Sequence, residues 1–247
     1  MLRIIFIAIA LLASATFSRA QNESVSQQAD RLDQDGYNFF IQRDYRKALE
    51  SFQKELPLRR TMHDTSGEAW SLNEIGECYS SLDECKSALD NYNQALPLFR
   101  RLKDLHGEAR SLHGIASCQV RLGDKAAALE NLKALLPLVH STQDRGWEGI
   151  VLGDIGLTYL ALGNEESALE YLNRRLAFER AQRSSVGEVE AMESLGRAYQ
   201  SLGNKPKAID SYRGALSILL KLSATMTDDH LTSEIKELRD AIAKLER

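Results

Sequence analysis

The sequence is poor in helix breakers and aromatic residues: four prolines stand in 247 positions, and Phe, Tyr and Trp together make up 7%. That scarcity argues against a β-rich or collagen-like chain. The one long apolar run, Ile4 to Ala13, is shorter than the roughly 20 residues that a membrane-spanning helix needs. Basic residues form no run or stripe, and the formal charge is only −4, so a nucleic-acid footprint is missing. Catalytic signatures are missing too. There is no nucleophile elbow, P-loop or dinucleotide fingerprint. The five histidines, His63, His106, His113, His140 and His230, lack metal-ligand spacing. No catalytic residue, metal ligand or cofactor is therefore expected, and the chain is expected not to be an enzyme. What remains is 43% hydrophobic and 27% charged, enough apolar side chain for a core.

The first twenty residues stand apart. Arg3 precedes the apolar run, and Ser18-Arg19-Ala20 places small residues where a signal peptidase reads them. The pattern predicts a signal peptide over 1–20, cleaved after Ala20, and a protein exported to a bacterial periplasm or secreted. The alternative is an uncleaved N-terminal anchor, which the short run disfavours. Cleavage removes Arg3 and Arg19 and no acid. The mature chain is then more acidic, with no polybasic membrane contact and no stable anchor. Asn22-Glu23-Ser24 forms a glycosylation sequon, which matters only in a eukaryotic secretory pathway. Export permits disulfides, but the three cysteines, Cys78, Cys85 and Cys118, are odd in number. They read first as small core hydrophobes, with a Cys78–Cys118 or Cys78–Cys85 bridge as the alternative.

The strongest signal is periodic. Gly67, Gly107 and Gly187 are spaced by 40 residues or a multiple of it, with Trp147 in the missing place. Gly36, Gly76, Ala116, Gly156 and Gly196 keep the same step, as do Ala48, Ala88, Ala128, Ala168 and Ala208. A fixed period of this size marks stacked structural units. Five units follow, 27–66, 67–106, 107–146, 147–186 and 187–226, after a polar lead-in over 21–26 and before a tail over 227–247. Each unit reads as two helices. In the second, Leu72, Ile75 and Tyr79 share one face of a first helix, and Ala88, Leu89, Tyr92, Leu96 and Leu98 make a wide apolar face on a second. Breaks such as Leu122-Gly123-Asp124 and Leu162-Gly163-Asn164 offer a left-handed glycine and a capping side chain. A longer loop, Lys103 to Gly107, is expected between units. The recurring small residues let paired helices approach, and the bulky ones fill the space beside them.

Leu72, Ile75, Gly76, Tyr79, Ala88, Tyr92 and Ala95 resemble the tetratricopeptide-repeat (TPR) signature. The resemblance covers 27–226 and returns in phase five times. It implies an all-α protein, a right-handed α-solenoid of helix-turn-helix repeats. The usual unit is about 34 residues. The longer unit here is similar to kinesin-light-chain-like arrays and to bacterial arrays that precede CHAT-type protease domains. Repeats are expected to run to the tail, with no CHAT domain in the chain. Some positions depart from the pattern. Asp35 replaces an apolar residue in repeat one, as suits an end repeat. Glu55, Leu135 and Arg175 stand where Ala95 and Ala215 are small. Pro57, Pro97 and Pro137 fall inside second helices, where they either bend the helix or end it early. Leu231, Ile235, Leu238, Ile242 and Leu245 predict a capping helix, or a homodimer contact through 227–247.

In this family the first helices line the concave face, so the resemblance implies a binding groove. It would take Tyr37 and Phe40 from repeat one and Trp70, Asn73 and Glu77 from repeat two. Arg110, His113 and Arg121 follow from repeat three, Ile150, Leu157 and Leu160 from repeat four, and Glu193 and Arg197 from repeat five. Repeat four reads as an apolar patch beside a modest basic spot. The family's chaperone-tail clamp and asparagine ladder do not match, since His113, Gly153 and Glu193 replace the counterparts of Asn73. The expected function is an exported non-catalytic scaffold for a protein or peptide partner. The alternative is a regulatory or sensing subunit of an envelope enzyme system, for example a partner of a CHAT-type protease.

Overall fold

The computed structural model describes residues 25–141, 145–224 and 229–247. The expected signal peptide, its cleavage point, the sequon and most of the lead-in lie outside the described residues. The described residues hold eleven α-helices and no strand. Helix α1 spans 25–41. It is followed by α2 Tyr45–Thr61, α3 Thr65–Ser81, α4 Cys85–Leu102, α5 Leu105–Leu122, α6 Lys125–Ser141, α7 Arg145–Ala161, α8 Glu165–Gln182, α9 Ser185–Ser201, α10 Lys205–Ser223 and α11 Asp229–Glu246. From α2 to α10 every helix begins 20 residues after the last, so half the sequence period is one helix and its turn.

The turns explain this regularity. Gly123, Gly163 and Gly203 take φ of 90°, 75° and 70°, the left-handed turn expected of them, while Arg43 and Asp83 hold the same place at 62° and 66° without being glycine. The next residues cap the following helices: Asp44 accepts from Lys47 N, Asn164 from Ser167 N and Asn204 from Lys207 N, each filling an otherwise open backbone donor. Between units the turn is shorter than the sequence suggests. Asp104 already caps α5, its Oδ1 lying 3.0 Å from Gly107 N, and Leu105 is helical. The periodic Gly67, Gly107 and Gly187 are thus third residues of first helices, each donating to the cap at Asp64, Asp104 or Ser184. A side chain on Gly107 would meet the Phe99 ring, and one on Gly187 the Glu179 carboxylate. The extra length of the unit therefore lies in two long helices.

The chain forms two compact units, 1–122 and 123–247, whose boundary falls within the third sequence repeat. In the first, Ala48, Phe52, Ile75 and Cys78 form one buried cluster; Ala69, Leu72, Ala95 and Phe99 form another; Cys85, Ala88, Tyr92, Ile115 and Cys118 form a third. Gly76 packs under Tyr92, whose ring a Cβ would meet at 2.8 Å. All three cysteines are buried free thiols. Burial pushes Cys78 up to about 12 and Cys118 up to about 11, so neither is a ready nucleophile. In the second unit, Leu172, Leu195 and Ala198 join α8 to α9. Gly156 packs against Leu172 and the Ala168 carbonyl, which a Cβ would approach to 2.7 and 3.2 Å. Helix α11 lays Ile235, Leu238, Ile242 and Leu245 against Val189, Tyr212, Ala215 and Leu219, so its apolar stripe is covered from within the chain. Helices α2, α4 and α6 continue through Pro57, Pro97 and Pro137 rather than ending there. All three prolines face solvent, where water can take the freed carbonyl.

Candidate functional site: an acidic and aromatic surface on the first helices

First helices present residues spaced three and four apart to one side. In the first unit this brings together Tyr37 and Phe40 of α1, Trp70, Glu74 and Glu77 of α3, and Arg110 of α5. Tyr37 is 56% exposed. Phe40 meets Tyr45 edge-on at 5.2 Å. Trp70 packs edge-on against Phe99 at 5.0 Å, and the Arg110 guanidinium lies 5.4 Å from its ring centroid, a cation–π contact worth about 0.5–1 kcal/mol at an open site. Arg110 also grips Glu77 through both carboxylate oxygens, at 2.6 and 2.7 Å. Tyr37, Phe40, Phe52, Glu74, Glu77 and Arg110 line one small cavity, and Glu74 and Trp70 also line a larger neighbour with Asp33, Glu55, Arg59 and Asp64.

The larger cavity is strongly acidic. Arg59 bonds Glu55 at 2.6 Å and reaches Asp30 at 3.0 Å and Asp64 at 3.3 Å. Burial, then the charges of Asp33, Glu55 and Glu77, pushes the Glu74 carboxyl up to about 8 against the pull of Arg110. Burial likewise raises Glu55, with Arg59 opposing, and Asp33. One oxygen from each of Asp33, Glu55 and Glu74 falls within 4.8 Å of the others. This group leaves no metal-ligand spacing in the sequence, because its members come from three helices. One signal was available: Glu55 places a charge in a phase that Ala95 and Ala215 keep small.

Other expected site residues sit differently. Asn73 is fully buried, a correction to its place in the groove. It accepts from Ser111 Oγ at 3.0 Å and donates to Glu77 at 3.1 Å, stitching α3 to α5. His113 is half-buried on α5. Arg121 binds the Ser80 carbonyl at 2.8 Å and pairs with Asp83, closing a turn. In the second unit Ile150 is 42% exposed. Leu157 and Leu160, however, are half-buried against the Leu172, Leu195 and Ala198 cluster, so the expected apolar patch is largely spent on packing between repeats. Glu193 is half-buried, and burial raises its pKa, with Glu234 adding to the rise. Arg197 is exposed beside Ser194, 3.3 Å from its hydroxyl.

Paired long helices, left-handed turns and the recurring contacts Gly36–Phe52, Gly76–Tyr92, Gly156–Leu172 and Gly196–Tyr212 define a helical-hairpin repeat protein. The tetratricopeptide-repeat family profile matches residues 36–101, 68–140, 151–180 and 191–223, and the chain belongs to that family. No curated protein sequence matches it. Solved structures share the fold at low identity. Kinesin-light-chain TPR-like repeats from Podosopora anserina are 17% identical with a TM-score of 0.67, covering 82% of this chain and 98% of theirs. Aspartyl phosphate phosphatase F from Bacillus subtilis is 16% identical with a TM-score of 0.76, over 90% of this chain and 57% of its own. A Rap protein complexed with competence and sporulation factor is 16% identical with a TM-score of 0.69, over 89% and 65%. These likenesses show a shared fold.

Proposed function

We propose that this chain is an exported, non-catalytic scaffold that holds a protein or peptide partner against its first helices. The observation that carries this reading is the first-unit surface. Tyr37, Trp70, Glu77 and Arg110 converge from three helices around two cavities, more aromatic and charged than repeat stacking requires. The Rap structure with a bound factor supports the fold's fitness for such a role. Export rests on the signal pattern over 1–20. A site-specific photo-crosslinker at Tyr37, followed by mass spectrometry of the envelope fraction, tests the binding face. A discrete adduct that disappears in the Arg110→Ala variant is expected, and an adduct pattern unchanged by that variant would overturn the reading. N-terminal sequencing of the recovered protein tests export: Gln21 should come first, and a retained Met1 would refute cleavage.

A further inference from the structure

We propose that Asp33, Glu55 and Glu74 form a binding site for an oxygen-seeking divalent cation of the calcium class. The three carboxylates come from α1, α2 and α3 and bring one oxygen each to within 4.8 Å of the others. That span matches the diameter of a calcium shell, whose oxygens lie about 2.3–2.6 Å from the ion. A second observation falls on two of the same three residues. Glu55 is only 2% exposed, yet its Oε2 is buried without a donor, and the buried Glu74 Oε2 also lacks one. The Ser71 hydroxyl stands beside Glu55 and donates to the Gly67 carbonyl at 2.9 Å. Unpartnered buried carboxylate oxygens are costly, and a cation would satisfy both at once.

Charge balance favours the same occupant. Arg59 takes the other Glu55 oxygen and turns to Asp30 and Asp64, so one guanidinium faces five acids. Among the described residues, neither Asp33 nor Glu74 forms an ion pair. The donors are all carboxylate oxygens, with no sulfur or imidazole, a set that suits hard cations rather than zinc or copper. A cavity of about 310 Å³ opens onto the carboxylates and leaves room for the waters that complete a six- to eight-fold shell. Magnesium, which demands a tighter octahedron, fits this loose triad less well.

The test uses the full chain, treated with chelator and titrated with CaCl₂ by calorimetry and thermal melting. Controls are MgCl₂ and NaCl of matched ionic strength. One saturable calcium site per chain is expected, half-filled at about 10⁻⁴–10⁻³ M as in open extracellular sites. Asp33→Asn and Glu74→Gln keep the side-chain volumes and should each weaken binding by about tenfold or more. Their circular dichroism melts show whether each remains folded. The proposal is overturned if wild type shows no saturable calcium binding, if NaCl raises the melting temperature equally, or if both folded variants bind calcium as wild type does. A lysine-rich peptide that binds this pocket where calcium does not would also overturn it.

Discussion

Replacing Glu74 by glutamine reports directly on the physics of the acidic cavity. In chelator, with no cation to neutralise it, the Glu74 carboxyl sits near pKa 8 against an ordinary 4.5, chiefly because it is buried and then because Asp33, Glu55 and Glu77 surround it. An acid whose folded pKa is raised binds its proton more tightly in the folded state than in the unfolded one. Its contribution to stability is complete below about pH 4.5 and is lost as pH climbs to about 8. Each pKa unit corresponds to about 1.4 kcal/mol, which puts the ceiling near 5 kcal/mol, and water in the open cavity brings the expected loss to about 2–3 kcal/mol. Glutamine keeps the shape and polarity of the protonated acid but does not titrate. Urea unfolding of both proteins from about pH 5 to about pH 8.5 should therefore show nearly equal stabilities at the acid end. At the alkaline end the variant should lead by about 2–3 kcal/mol. A difference that stays flat across that range refutes the reasoning.

Three other changes test the fold around the site. Asn73→Ala removes a fully buried amide that binds Ser111 and Glu77, and should cost about 1–3 kcal/mol in urea unfolding. Gly156→Leu drives a side chain into Leu172 and the Ala168 carbonyl; the overpacking should cost about 1–3 kcal/mol, and an unchanged melting temperature would contradict the register. Arg43→Gly relieves a left-handed residue at φ 62° and should stabilise by about 0.5–1 kcal/mol, seen as a higher melting temperature.

The repeat architecture was legible because one physical requirement, close approach of paired helices, leaves the same mark every 40 residues. Gly76 under Tyr92 and Gly156 under Leu172 show that requirement at atomic scale. The site was legible only in part. Helical phase places Tyr37, Trp70, Glu77 and Arg110 on first helices, and the structure gathers them. Phase alone cannot tell whether a neighbouring repeat covers a residue. Asn73 is taken by Ser111, and Leu157 and Leu160 by the α8–α9 cluster. Asp33 and Glu74 carry no mark in the sequence pattern, because their meeting depends on stacking three helices. Glu55 was the visible anomaly, the one carboxylate in a phase that also holds Ala95, Leu135, Arg175 and Ala215.

The even pacing of helix starts has a bearing on how such a protein can change over generations. One residue added inside a helix turns everything beyond it by about 100° and swings its packing face away from its partner. An added turn residue shifts no such face. Lineages of this array should therefore differ in length by whole 40-residue blocks or at turns, with single-residue gaps rare inside helices. The ruler that keeps the repeats in step is the angular pitch of the backbone, and it restricts insertions and deletions more tightly than it restricts side-chain identity.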